Sequence, residues 1–348
     1  MNLFEVLKDI EKVSGKGSVM RGVEVKDIDR IPLPPMLMNR MLYGGLPVGR
    51  LIEFYGAEHS GKTTTALMAM SAYQKMEKEK AAKDTKYTPR PCMLIDAEGT
   101  YDAIWAKKLG LDSSEQMFIK WAPENVTAEQ VFQSILDVAE TNEVGLIVLD
   151  SIPVLIGQQE DAKNMEQLTM GGIAAPLTKF TRKLCRTLMK NPTVTFIGIN
   201  QVRDNMTGYG DPITTPGGKA WKHMTSLRLL FKSENIDANG NAIPEANENP
   251  AGVRIYAHLK KNKTAPRDKK LGSYTLDFVK GFDEKQDVLM CAIKEKIVVT
   301  SGAGVKYIDK ETGEIVSALG KANFKDKMVG NVYDNIKKEL EKIYNEGE

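Results

Sequence analysis

Residues 56–63 read Gly56-Ala57-Glu58-His59-Ser60-Gly61-Lys62-Thr63, and the chain on either side restricts what they can form. Upstream, residues 50–55 have the apolar character of a short buried strand. Downstream, residues 63–70 open like a helix. A strand, a glycine loop and a helix N-terminus together make an anion site, because backbone N–H groups converge there and the helix dipole favours negative charge. Gly56 and Gly61 allow a close backbone approach that a Cβ would block. Lys62 is long enough to reach β- and γ-phosphates, and the Thr63 hydroxyl suits Mg²⁺. A chance match is the alternative, and the flanking pattern weighs against it.

From about residue 36 to 282, apolar runs alternate with amphipathic stretches. The runs fall at 51–55, 92–96, 146–150, 195–200, 226–231 and 253–260. This alternation predicts a mostly parallel α/β sheet flanked by helices. The runs are nearly continuous in Val, Ile and Leu, as strands covered on both faces require. Residues 78–91 and 233–252 are polar without a period and read as loops. Ahead of this core, residues 1–35 begin with a helix carrying Phe4, Leu7, Ile10 and Val13 at helical spacing. It is too short to be stable alone and must dock, either on its own core or on a neighbouring subunit. Pro32, Pro34 and Pro35 mark the boundary. Residues 283–348 read as a small α/β appendage or an interaction lid. They end in a charged helix from about 325 to 344, with Met328, Val332, Ile336, Leu340 and Ile343 on one side.

The formal net charge of +2 over 348 residues means that a nucleic-acid surface would have to come from local clustering. Three separated cysteines, Cys92, Cys185 and Cys291, point to reduced thiols in a cytoplasmic protein rather than a disulfide frame. The three histidines form no metal-ligand pair with them. The N-terminus is acidic where a signal peptide would be basic. The longest apolar stretch, 144–156, is short and contains Asp150, so no membrane span is expected.

Hydrolysis of a nucleoside triphosphate needs a second carboxylate beside Mg²⁺, a group that orients or deprotonates water, and a γ-phosphate sensor. Candidates stand at strand ends, where open α/β sheets hold ligands. Asp150 follows four apolar residues in the Walker B arrangement; its alternative role is to cap the next turn. Glu98, just past the run at 92–96, is either a general base or an ion-pair partner. Asn200 and Gln201 end another run and are either a phosphate switch or strand caps. A long glycine-rich loop, 202–218, follows directly and combines Arg203, Tyr209, Lys219 and nearby Lys222 in a pattern suited to a sugar-phosphate backbone. A second loop, 158–172, carries Met165, Met170, Gly171 and Gly172; its methionines could meet bases or another subunit, or fill a gap. Lys260, Lys261, Lys263, Arg267, Lys269 and Lys270 form the densest basic cluster, either a solvated face or a phosphate contact across a subunit interface.

These stretches, in this order from about residue 15 to 267, resemble the RecA family of bacterial and phage recombinases. The resemblance rests on Gly15–Arg21, Gly44–Arg50 running into Gly56–Thr64, Leu94–Glu98, Ala106–Gly110, Val148–Ser151, Ile199–Arg203, Thr214–Gly218 and Lys261–Lys263. It implies a RecA-like ATPase core at 36–282, an N-terminal oligomerisation helix and a small C-terminal domain. It implies ATP and Mg²⁺ as cofactors, with Gly56, Glu58, His59, Ser60, Gly61, Lys62, Thr63 and Thr64 around the phosphates and Thr63 and Asp150 on the metal. Glu98 would act on water, Gln201 would link γ-phosphate to DNA, Trp105 would stack on adenine, and Asp102 would lie by its edge. Lys261 and Lys263 would reach the ATP of an adjacent subunit. Met170, Gly171, Gly172, Arg182, Arg203, Tyr209, Gly217, Gly218 and Lys219 would meet DNA. The implied partners are single-stranded DNA, a homologous duplex and further copies of the chain in a helical filament, without a membrane. The chain departs from the family at His59, where a small residue is usual, at Trp105, where tyrosine is commoner, and at Ala175-Pro176, where an arginine often stands. A RecA-fold helicase is the rival reading, but residues 1–35 are too short for the collar domain such enzymes usually carry.

Overall fold

A computed structural model describes residues 2–15, 19, 27–162, 172–204, 213–238, 240–246, 249–310 and 312–345. Helix α1 (Leu3–Ser14) precedes strand β1 (Arg30–Ile31), helix α2 (Met36–Met41) and strand β2 (Leu46–Pro47). The central region begins with β3 (Leu51–Gly56), α3 (Lys62–Lys83), β4 (Cys92–Asp96), α4 (Ala103–Lys108), β5 (Phe118–Trp121), α5 (Ala128–Thr141) and β6 (Leu146–Asp150). A single 3-10 turn (Ile152–Val154) leads to α6 (Gln158–Asp161), α7 (Ala174–Lys190), β7 (Thr195–Gln201), β8 (Arg203–Asp204), β9 (Ile213–Thr214) and α8 (Gly218–Met224). Strands β10 (Leu227–Ile236), β11 (Gly252–Asn262) and β12 (Leu271–Asp277) follow. The chain finishes with α9 (Glu284–Lys294), β13 (Val298–Ser301), β14 (Gly304–Ile308), β15 (Ile315–Leu319), α10 (Lys321–Lys327) and α11 (Asn331–Asn345).

Eight strands form one sheet in the order β12-β11-β10-β3-β7-β6-β4-β5. The six strands from β10 to β5 are parallel, as the alternating pattern requires. Side chains alternate between two apolar layers. Ile52 and Phe54 of β3, with Leu146 and Val148 of β6, pack with Leu67, Met68 and Met70 of α3. Leu51, Ile147 and Leu149 face the other way, against Val131 and Phe132 of α5 and Leu177, Phe180 and Leu184 of α7. Phe132 and Phe180 stack with their centroids 4.4 Å apart, which joins the two helices over that face. A third apolar cluster gathers α9, the three-stranded sheet β13-β14-β15, α10 and α11, with Met36 of α2. Among the described residues no helix is long and apolar enough to cross a membrane.

β11 and β12 complete this mostly parallel sheet by running antiparallel to their neighbours. The structure corrects three readings. Residues 78–83 are helical rather than loop. They are good helix formers, and the buried Glu77 carboxylate accepts from Tyr87 Oη and from the Arg90 N–H, which ties the returning chain to that end of α3. Residues 233–236 extend β10. The helix read over 325–344 is two, because Gly330 takes φ +53° between α10 and α11. α1 has the capping box Asn2/Glu5 but buries none of its residues, and Phe4 remains 60% exposed.

Candidate nucleotide and DNA site

The phosphate loop is shaped by what its glycines exclude. A Cβ on Gly56 would lie 2.5 Å from the Phe231 carbonyl oxygen, and one on Gly61, at φ +90°, would lie 2.4 Å from Ile255 Cδ1. Both close approaches draw the loop back onto β10 and β11. His59 also adopts positive φ, at 57°, a region where His is tolerated better than most residues; its carbonyl accepts from the Ser233 hydroxyl at 3.1 Å. Ser60 is buried and donates to the Ala57 carbonyl at 2.7 Å. Lys62 is buried, and its Nζ donates to the carbonyls of Ala57 (2.6 Å) and Gly56 (3.1 Å). Burial pulls the Lys62 pKa below the usual ammonium value, while Asp150, Glu98 and Glu58 act against that shift. Glu58 is exposed and Thr64 half-buried in the first turn of α3.

The acidic residues meet the loop from the ends of β6 and β4, two and three strands away. Thr63 Oγ1 donates to Asp150 Oδ2 at 2.6 Å. Burial raises the Asp150 pKa to about 6, with Glu98 adding to the shift and Thr63 and Lys62 opposing it. The amides of Ala97 and Glu98 donate to the Asp150 carbonyl at 2.7 and 3.2 Å, which fixes the turn after β4 to the end of β6. The Asp150–Ser151 peptide is cis. Ser151 Oγ donates to Glu98 Oε1, and Gln201 Nε2 donates to the same oxygen at 3.4 Å. Among the described residues no group of three or more His, Cys, Asp or Glu gathers to cage a metal. A hydroxyl beside one carboxylate is instead the hard-oxygen set suited to Mg²⁺, which takes one or two protein carboxylates and completes its shell with phosphate and water. Asp96 is committed elsewhere: it accepts from the amides of Thr100 (3.0 Å) and Tyr101 (3.2 Å) and pairs with Lys120 at 3.2 Å.

Asp102 Oδ1 caps α4, accepting from the amides of Ile104 (2.8 Å) and Trp105 (3.0 Å). Trp105 is half-buried against the first apolar layer.

Two chain segments leave the same sheet edge. Gly172 precedes α7, whose first turn contains Ala175 and Pro176; proline is tolerated there because that turn's N–H groups have no helical partner. Arg182 is exposed on α7 and lines an open depression of about 630 Å³ with Ala174, Ala175, Thr178, Lys179 and Lys183. Arg203 is exposed at the start of the other segment, whose two ends meet in the β8/β9 pair with Arg203 opposite Thr214. Gly217, at φ +109°, is closely covered by Leu177, whereas a Cβ on Gly218 would meet nothing within 4 Å. Lys219 is exposed beside it, and Lys222 Nζ donates to Thr214 Oγ1 at 2.7 Å. Met165, Met170, Gly171 and Tyr209 lie outside the described residues.

Lys261 and Lys263 converge on the C-terminal end of α8. Lys261 Nζ donates to the carbonyls of Lys222 (2.6 Å) and His223 (2.8 Å), and Lys263 Nζ to that of His223 (2.8 Å). Burial, then the neighbouring Lys263 and Arg228, lower the Lys261 pKa to about 8. The register places them at the opposite end of the sheet from the phosphate loop of the same chain: Asn262 pairs with Leu227, which pairs with Ile52 at the start of β3.

Two polar residues to which the sequence assigned no role join this constellation. Ser151 was legible only as the neighbour of Asp150. Glu53 carried a stronger signal, since a carboxylate inside a strand covered on both faces needs a partner; it is fully buried and ion-paired to Arg228.

A family model described as the RecA N-terminal domain matches residues 1–283. "Protein RecA" of Thermus aquaticus is 33% identical over 319 residues, spanning 90% of this chain and 86% of that protein. "Protein RecA" of Campylobacter jejuni subsp. doylei is 32% identical over 317 residues, 90% of this chain and 85% of the relative. "Protein RecA" of Helicobacter pylori is 33% identical over 312 residues, 88% and 83% of the two chains.

Proposed function

The chain belongs to the RecA family, and on that premise we propose that it is a cytoplasmic, Mg²⁺- and DNA-dependent ATPase that forms a helical filament on single-stranded DNA and promotes homologous pairing and strand exchange. The observation that carries this reading is the Gln201 amide. It donates to Glu98 beside the phosphate loop and opens directly into the segment that ends at Gly217 and Gly218.

In this mechanism the loop amides and Lys62 hold the triphosphate, with Glu58, His59, Ser60 and Thr64 at the loop and Trp105 and Asp102 toward the base. Mg²⁺, when bound through Thr63 and Asp150, neutralises phosphate charge. Glu98, oriented by Ser151, holds and deprotonates the attacking water. Gln201 exchanges its bond to Glu98 for one to a γ-phosphate oxygen and thereby reports nucleotide state to the DNA segment. Lys261 and Lys263, distant from their own loop by register, serve the nucleotide of the next protomer, so each site is completed by head-to-tail contact. The unburied apolar face of α1 supplies a further surface for that neighbour. DNA is held by Met170, Gly171, Gly172, Arg182, Arg203, Tyr209, Gly217, Gly218 and Lys219, mainly through phosphates, which carry no sequence information; base pairing selects homology. Residues 1–35, 36–282 and 283–348 divide as oligomerisation segment, ATPase core and small C-terminal domain.

Electron microscopy with single-stranded DNA and a slowly hydrolysed ATP analogue tests the assembly. Open helical filaments on DNA are expected. Closed rings would replace this reading with a helicase-like one.

A further inference from the structure

β3 carries one ionisable side chain with a carboxylate, Glu53, and strand alternation turns it with Leu51 and Tyr55 toward the layer of α7 and α8. Its two oxygens have separate partners. Oε1 accepts from Asn200 Nδ2 at 3.0 Å, and Oε2 accepts from Arg228 Nε in an ion pair whose carboxylate is fully buried and whose guanidinium is partly buried. Both partners continue to the DNA segment. Asn200 Nδ2 also donates to the Pro216 carbonyl at 3.0 Å, while its Oδ1 accepts from the Gln201 N–H at 3.1 Å. Arg228 Nη2 donates to Thr215 Oγ1 at 3.3 Å, and its guanidinium lies 4.7 Å from the Tyr55 ring centre. One buried carboxylate therefore holds the entrance of the segment, Asn200-Gln201, and its exit, Thr215-Pro216.

We propose that Glu53, with Arg228, is a positioning residue for DNA-coupled hydrolysis: it ties the two ends of the DNA segment together so that displacement of Gln201 is carried to Pro216, Gly217 and Gly218. This rests on the proposed recombinase reading. Stability gives little reason for such a pair, because a buried ion pair loses much of its Coulomb energy to desolvation and a well-packed apolar pair often serves as well. A mechanical reason is at hand. Entrance and exit that move independently would absorb a shift at Gln201, whereas ends joined through two bonded arms move as one element.

The test compares the unmodified chain, Glu53→Gln, and the double variant Glu53→Gln/Arg228→Met. Melting temperature, affinity for a fluorescent ATP analogue, and ATP hydrolysis with and without single-stranded DNA are measured in each. The single variant leaves the partly buried Arg228 without its counter-charge and melts lower. The double variant removes both charges; it is expected to melt with the unmodified chain and bind the analogue equally, while the ratio of DNA-stimulated to unstimulated hydrolysis falls about tenfold. A double variant that keeps the full ratio overturns the inference. So does one that loses thermal stability and analogue binding together, which would assign the pair to folding. If the unmodified chain itself shows no stimulation by DNA, the recombinase reading fails and the inference falls with it, an outcome visible without any variant.

Discussion

Gly56 and Gln201 are paired Cα to Cα across β3 and β7. The first residue of the phosphate loop and the amide that enters the glycine-rich segment are thus neighbours in one parallel register, about 4.8 Å apart at the usual strand spacing. On the other side of β7, β6 brings Asp150 to the same sheet edge. Three strand ends therefore set the phosphate loop, the carboxylate proposed for the metal and the amide proposed as the switch beside one another, and the sheet itself holds their spacing.

Glu98→Gln keeps the size of the side chain and the bond from Ser151 but removes the carboxylate proposed as the base. Hydrolysis is expected to fall by roughly 10²- to 10³-fold with nucleotide affinity preserved. Steady-state turnover and equilibrium binding of an ATP analogue check this. A matching loss of affinity would instead make Glu98 a binding residue.

Thr63→Val removes the hydroxyl that donates to Asp150 at 2.6 Å while keeping the branched shape. The Mg²⁺ concentration for half-maximal hydrolysis should rise about tenfold or more, and Thr63→Ser should restore it. A Mg²⁺ titration of ATPase activity reads both. An unchanged half-saturation in the valine variant would remove Thr63 from the metal site.

Lys261→Ala/Lys263→Ala and Glu98→Gln are each expected to be inactive alone. Mixed in equal amounts, they should recover roughly a quarter of the activity, the share of random head-to-tail contacts that pair an intact Glu98 with intact lysines. No recovery on mixing would place the lysines' action within their own protomer.

Asp287 links α9 to α2 through its bond from the Met36 N–H at 2.8 Å. Burial, with Glu284 adding to it and the Met36 bond opposing it, raises its pKa from 3.8 to about 7. The folded chain therefore holds a proton there that the unfolded chain releases above about pH 4. This contribution to stability is complete at low pH and is lost as pH rises through about 7, at no more than about 1.4 kcal/mol per pH unit. Asp287→Asn should flatten that slope in urea unfolding measured from pH 5 to 8. An unaltered slope would show that Asp287 does not carry it.

The placement of the candidate residues at strand ends was legible in the sequence, and their partnership was not. The phosphate loop, Asp150, Glu98 and Gln201 each lie at the end of an apolar run, so a short window locates them. All six runs read from that pattern are strands of the sheet. β5 escaped the pattern because its Lys120 breaks the apolar run, and β12 because it mixes Gly, Ser and Thr with few aliphatic residues. The break at Gly330 was hidden by a continuous apolar stripe, since periodicity does not register a single left-handed residue. Glu53 read as part of a strand; that Asn200, Arg228 and Thr215 converge around it depends on contacts spanning 147 and 175 residues for the first two. Such contacts leave no trace in local spacing.

The most direct test is Mg²⁺-dependent ATP hydrolysis with and without single-stranded DNA, in the unmodified chain and in Gln201→Ala. The unmodified chain should be strongly stimulated by DNA, and the variant should lose that stimulation while still binding single-stranded DNA. Hydrolysis that ignores DNA, or a variant stimulated as strongly as the unmodified chain, would contradict the coupling through Gln201.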